Sequence, residues 1–220
     1  MTRTHNTIYY PLVSTIMIKP KYIHIEGMDL AWKSTLVKNI KLYNADIDIR
    51  HNSILAQWDN QIYQLADNLR KSHSYEYNST TLWNLFAVAM EHDVRKFKQP
   101  LLDTLQDSTI FLRSMAYHTI KWNTRLTSEL LRIFLEFNHP TFDNSIILTA
   151  SIEERRKRLE QRYKDNPEEV ADDDLMIIEK PEKFLQMEKV LIDLWEQYFN
   201  SKIINTTHLS PDEVYHISGI

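Results

Sequence analysis

The sequence predicts an α/β fold of three layers, with a central parallel sheet of five strands and helices on both faces. Three observations carry that expectation. Short apolar runs alternate with longer amphipathic stretches along the chain, the order expected of a parallel sheet with helical crossovers. One run, Ser145–Thr149 (SIILT), is apolar throughout, as strands buried on both faces are. Gly27, one of only 2 glycines in 220 residues, closes the first run and opens a turn into a helix.

Taken in order, residues 1–20 contain Pro11 and Pro20, show no periodicity, and read as an arm or a short extra strand. Residues 21–26 are the first strand, and the helix after Gly27 runs to about Leu42. Ala45–Arg50 alternates Ile47 and Ile49 with aspartates, the period of a strand. Over residues 54–70, Leu55, Trp58, Ile62, Leu65 and Leu69 share one helical face, and residues 80–97 form a more apolar helix that Pro100 stops. Leu101–Asp107 reads as a strand ending on a carboxylate. Residues 111–121 and 125–137 read as helices bounded by His139-Pro140, and SIILT follows. Ser151 with Glu154 is a capping box that opens a helix bearing Arg155, Arg156, Lys157, Arg158 and Arg162. The acidic residues 164–180 read as a mobile flap, and 182–199 as a helix with Phe184, Met187, Val190, Leu191, Leu194 and Trp195 roughly in line. Lys202–Asn205 is the last strand. Ser210-Pro211-Asp212-Glu213 caps a final helix with Ser at N-cap and Pro at N1.

Composition narrows the function. The formal net charge is −4 and the pI about 6.1, which argue against a general nucleic-acid binder and a basic membrane-surface protein. No apolar run approaches the length of about 20 residues that a membrane span needs. Arg3 is followed by no uninterrupted apolar segment, so no leader is expected. With no cysteine, disulfides, thiolate catalysis and Cys-based zinc sites are excluded, which fits a cytoplasmic protein. No Pro/Gly/Ser-rich linker divides the chain, so residues 1–220 are expected as a single domain. The histidines are scattered without metal-ligand spacing, and no GxSxG nucleophile motif is present.

The chemistry concentrates after Gly27. Lys33 stands at the sixth position beyond it and Ser34 at the seventh, the spacing of strand–GxxxxGK[ST]–helix. In that loop, backbone N–H groups and a helix N-terminus surround phosphate oxygens, the lysine reaches the β/γ-phosphates, and the hydroxyl ligates Mg²⁺. Gly27, Leu30, Ala31, Trp32, Lys33, Ser34 and Thr35 are therefore the candidate nucleotide-binding residues. The departure is Trp32, where a glycine normally keeps any Cβ away from the phosphates. A fortuitous GxxxxxKS is the alternative reading.

Ile25 to Leu36 (IEGMDLAWKSTL) resembles IEGxDGxGKSTL, the loop of thymidylate kinase-like P-loop kinases. Leu85–Met90 (LFAVAM) resembles that family's LFAADR helix. Gln106-Asp107-Ser108-Thr109 with Ser114-Met115-Ala116-Tyr117 resembles DRYxxSSLAY with one residue inserted. Leu148–Glu154 with Lys157, Arg158 and Arg162 resembles LxASPEExxxRxxxR before the lid. The similarity is collinear over roughly residues 21–207.

The resemblance implies a P-loop NTPase-type fold, with a lid region over about 158–180 and Mg-ATP as donor. It implies a small-molecule phosphoryl acceptor and no nucleic-acid or membrane partner; a homodimer stays open. It places Lys33 on the donor phosphates, Ser34 and Asp107 on the metal, and Asp107, Arg113, Arg158 and Arg162 among the catalytic groups. Asp29, Arg50, Asp107, Met90 and Tyr117 fall on acceptor positions. Asp29 is equally readable as a local turn residue, Arg50 as an exposed strand-end charge, and part of the basic helix as a solvated face.

Two further departures bear on the acceptor. Met90 replaces the arginine that grips an acceptor monophosphate in this family, and Ser108 replaces the arginine of DRY. The expectation is an ATP-dependent kinase whose acceptor is a nucleoside, an amino acid or a specialised metabolite hydroxyl. The alternatives are an impaired pseudokinase acting as a binding module, and a nucleoside monophosphate kinase.

Overall fold

The computed structural model describes residues 20–50, 61–71, 79–109, 113–116, 119, 124–170 and 172–220. The expected arm over residues 1–19 and Tyr117 lie outside them. Five strands form one sheet: β1 (Tyr22–Gly27), β2 (Asp48–Arg50), β3 (Thr104–Asp107), β4 (Asn144–Thr149) and β5 (Lys202–Asn205). Every pairing is parallel and the order is β2-β3-β1-β4-β5, so the first strand lies in the middle.

The two-residue period of β1 decides what each face holds. Ile23 and Ile25 point to one side, where they meet Leu36, Val37 and Ile40 of α1 (Lys33–Tyr43) and Val214 of α8 (Pro211–Ser218). Tyr22, His24 and Glu26 point to the other side, and all three are fully buried there. Helices on that side supply the larger core. They are α2 (Gln61–Lys71), α3 (Ser79–Lys96), α4 (Thr124–Glu136), α5 (Ile152–Asp165), α6 (Asp172–Glu179) and α7 (Pro181–Phe199). The expected three-layer arrangement with a five-stranded parallel sheet is what the chain adopts.

Two helix starts agree with their sequence signals. Ser151 Oγ accepts from the Glu154 amide ahead of α5, and Ser210 with Glu213 forms a reciprocal capping box ahead of α8. The acidic stretch read as a flap carries regular secondary structure. A 3₁₀ turn, Pro167–Glu169, leads into α6, whose Ile177 is fully buried and whose Asp174 receives Arg162. Its charges conceal the apolar run Leu175-Met176-Ile177-Ile178, which is long enough to seat one turn of helix on the core. Among the described residues no helix is long and apolar enough to cross a membrane.

The fold brings the C-terminal ends of β1, β3, β4 and β5 to one edge, the side on which open parallel sheets bind ligands. The loop between β1 and α1 crosses that edge at its centre.

Candidate phosphate-binding site

Gly27 is required by packing rather than by backbone conformation. It lies beside Leu148 of β4, and a Cβ added to it would meet the Leu148 carbonyl oxygen at 2.6 Å. No L side chain fits so close to a backbone atom. The left-handed positions of the loop come later, at Leu30 (φ 61) and Trp32 (φ 72, ψ 19). Each places a Cβ where L-residues are disfavoured by about 1–2 kcal/mol. Sequence reasoning singled out Trp32 and passed over Leu30, although the matching loop pattern has glycine at both positions.

Left-handed residues interspersed with others give a concave run of amides, a nest for anions. Trp32 occupies the N-cap of α1 with no side-chain cap, so the first amides of that helix are also available to a ligand. The loop residues Met28 to Thr35, with Arg158 and Arg162, line a cavity of ≈ 260 Å³. Ser34 is exposed at the head of α1.

Lys33 meets Asp107 across this edge, Nζ to Oδ1 at 3.0 Å. The period of β3 explains the meeting. Leu105 packs into the α1 side of the core, so Asp107, two residues on, shares that face and ends beside the first residue of α1. A lysine at a helix N-terminus opposes the helix dipole, and Asp107 offsets that cost in the ligand-free chain.

Beneath the loop lies a charge network that the sequence did not disclose. Glu26 is fully buried; its Oε1 accepts from the Gly27 amide at 2.9 Å and from Arg113 Nε at 3.0 Å. Its Oε2 accepts from Ser108 Oγ at 2.9 Å and from the Thr109 amide at 3.3 Å. Burial pushes the carboxyl pKa up, but Arg113 and then Lys33 outweigh it and hold the group below its ordinary value. Burial likewise works against the Arg113 charge, and Glu26 more than restores it. Arg113 therefore stands beside the loop, committed to a carboxylate. Ser108, in place of the family's arginine, is left-handed (φ 72) and donates to Glu26.

The basic helix divides its cations among different tasks. Arg155 is fully buried, donating from Nε to the Ala150 carbonyl at 2.9 Å, from Nη1 to the Asp29 carbonyl, and from Nη2 to the Glu188 carboxylate. Its signal was readable: Ile152, Arg155 and Leu159 form one buried stripe at helical spacing. Arg158 donates to the Leu30 and Thr206 carbonyls and lies over the Trp32 ring, 4.5 Å from its centroid. Arg162 lines the cavity and pairs with Asp174.

Two acceptor candidates lie away from this cavity. Met90 is 3 % exposed and packs in the larger core, on the same face of its helix as the buried Phe86 and Val94. Arg50 ends β2, with Nε 3.5 Å from Asp48 and the guanidinium 5.9 Å from the Tyr22 ring centroid. Asp29 lines the cavity and gives its backbone carbonyl to Arg155.

No protein-family model matches the chain, and no curated protein matches it. Solved structures do. A deoxyadenosine kinase from M. mycoides, solved with dCMP and a flexible dCDP, is 16% identical with a TM-score of 0.54, over 89% of this chain and 94% of that one. The thymidylate kinase from Candida albicans is 14% identical with a TM-score of 0.60, over 90% of this chain and 89% of that one. At such identities the likeness establishes the fold alone: this chain shares the three-layer α/β fold of these two kinases.

Proposed function

We propose that the chain is an ATP- and Mg²⁺-dependent small-molecule kinase whose acceptor is not an ordinary nucleoside monophosphate. The observation that carries this reading is the backbone of the loop. Leu30 and Trp32 hold left-handed conformations that glycine would take without strain. Together they cost on the order of 2–4 kcal/mol, and strain of that kind persists where function requires the shape.

The residues present fit a polyphosphate with its cation. Met28 to Thr35 line the cavity from the loop and the head of α1, Lys33 supplies the charge, and Ser34 is exposed beside it. Among the described residues no cluster of three or more acidic or histidine side chains is built to hold a metal alone. Ser34 and Asp107 would share the cation with the ligand's own oxygens. Bound Mg-ATP supplies the γ-phosphoryl group and part of the neutralising charge. Lys33 would exchange Asp107 for phosphate oxygens, and Asp107 would then serve either the cation or, as base, the acceptor hydroxyl.

The acceptor is inferred from where the cations are. Met90 contributes no charge, Arg113 is spent on Glu26, and Arg50 lies against Tyr22 and Asp48. A dianionic acceptor would enter beside Asp29 and Asp107, and Arg162, the guanidinium that lines this cavity without holding the loop, is already paired with Asp174. A neutral or zwitterionic hydroxyl compound avoids that repulsion, and the likeness to a deoxyadenosine kinase makes a nucleoside the first to try. In a coupled assay with Mg-ATP, deoxynucleosides should exceed dTMP and dUMP in kcat/KM by about tenfold or more. Efficient turnover of dTMP, near about 10⁴ M⁻¹s⁻¹ or above, would refute the acceptor assignment.

One observation favours a second reading, a nucleotide-binding module without turnover: the Trp32 indole lines the cavity and carries Arg158 above it. That reading predicts Mg-ATP binding with no acceptor turned over, and turnover gained in Trp32→Gly.

A further inference from the structure

Three guanidinium groups converge on the backbone of the β1–α1 loop, each on a different carbonyl. Arg113 Nη2 donates to Gly27 O at 2.5 Å, Arg155 Nη1 to Asp29 O, and Arg158 Nη1 to Leu30 O at 2.9 Å. Each is braced elsewhere. Arg113 rests on Glu26 of β1, and Arg155 on Glu188 of α7 and the Ala150 carbonyl. Arg158 rests on Glu154 at 3.2 Å, on Thr206 Oγ1 at 3.0 Å, and on the Thr206 carbonyl at 2.7 Å.

A trans peptide holds its C=O and the following N–H in one plane, pointing opposite ways. Fixing the carbonyls of Gly27, Asp29 and Leu30 therefore fixes the amides of Met28, Leu30 and Ala31. A glycine-rich loop reaches this arrangement through free φ angles. Here Leu30 and Trp32 resist it, and charge-assisted hydrogen bonds, about twice as strong as neutral ones, oppose that resistance. The indole of Trp32 adds a surface on which the Arg158 guanidinium rests.

We propose that Arg113, Arg155 and Arg158 are positioning residues that clamp a glycine-poor loop into its anion-receiving shape, and that Arg158 acts through the loop rather than on the phosphate. The proposal deepens the reading of this loop as the phosphate site and rests on it for its ligand. Arg158 was expected from the sequence as a cation that swings over the transferring group. Its bonds to Leu30, Thr206 and Glu154 leave it holding the frame instead. Arg162, which touches no loop carbonyl, is the cavity arginine outside the clamp.

The test uses the full chain and two readouts. The first is amide hydrogen exchange across residues 28–36 without ligand. Arg158→Ala and Arg158→Lys should both speed it about tenfold, because one ammonium cannot bridge Leu30 O, Thr206 O and Thr206 Oγ1 together. Arg162→Ala should leave it unchanged. Loop exchange unmoved by Arg158→Lys, or moved equally by Arg162→Ala, would overturn the clamp.

The second readout is the affinity for magnesium tripolyphosphate. Arg158→Lys should lose about tenfold in the natural loop and less than about threefold in a Leu30→Gly background, where the left-handed turn carries no strain. Equal loss in both backgrounds, or full retention by lysine, would make Arg158 a direct phosphate contact and overturn the proposal. If no variant binds tripolyphosphate, the phosphate-site reading fails, and the exchange readout still decides the clamp.

Discussion

Trp32→Gly and Trp32→Ala, made side by side, isolate the strain in the loop. Both remove the indole and its contact with Arg158, worth about 0.5–2 kcal/mol. They differ only in the Cβ at a residue with φ 72. Alanine keeps that Cβ and so keeps a strain of about 1–2 kcal/mol. Glycine relieves it, less the roughly 0.5–1 kcal/mol by which a glycine raises the entropy of the unfolded chain. Trp32→Gly should therefore be more stable than Trp32→Ala by roughly 0.5–1 kcal/mol, the reverse of the order in a helix interior. Against the natural protein, Trp32→Ala should lose about 0.5–2 kcal/mol, while Trp32→Gly should come closer to parity. Urea unfolding with matched m-values reads this directly. If Trp32→Ala equals or exceeds Trp32→Gly, the left-handed assignment is wrong, and with it the argument from strain to function. Since the ligand-free loop already holds this conformation, relieving the strain alters stability more than affinity. Any gain in ATP binding by Trp32→Gly then reports the space vacated by the indole.

Two other outcomes follow from the same frame. Gly27→Ala places its Cβ against the Leu148 carbonyl and should cost about 1–3 kcal/mol or more, read by urea unfolding; a neutral substitution would contradict the close approach of β1 and β4. Burial lowers the pKa of His24 to about 4 and that of His139 to about 3. Unfolded histidines titrate near 6.5, so between that value and the folded ones the unfolded chain binds more protons, and stability falls as pH falls. From about pH 7 to pH 5 each histidine should remove roughly 1.5–2 kcal/mol, above the range in which the depressed Glu26 begins to contribute. Unfolding free energies equal at the two pH values would show that neither histidine is neutral and enclosed in the folded state.

The sequence disclosed the sheet because its strands carry strong local signals. IHI, SIILT and KIIN are β-branched runs bounded by caps and turns, and each became a strand. Lys33 and Asp107 were legible for a different reason: a motif spacing places one and a strand end the other, and their meeting follows from the sheet order. What escaped detection depends on tertiary contact. Glu26 reads as the polar end of a strand, and only the fold shows it enclosed with Arg113, Ser108 and Thr109. Arg155 sits in a run of cations, where burial of one member is settled by the stripe it shares with Ile152 and Leu159 and by a carboxylate on α7. Leu30 as a residue type gives no sign of a left-handed backbone; only the glycine at its place in the matching loop pattern does.

The central claim, that this loop receives the phosphates of ATP, is tested most directly by the melting temperature of the full chain with and without Mg-ATP. Saturation at about a hundred times Kd adds roughly 2.7 kcal/mol to the native state, which for a chain of this length raises Tm by about 5–10 °C. Lys33→Ala should abolish the shift while leaving the ligand-free protein folded, since the Lys33–Asp107 pair is a partly exposed ion pair of modest worth. No shift at millimolar Mg-ATP, or an equal shift in Lys33→Ala, would contradict the account.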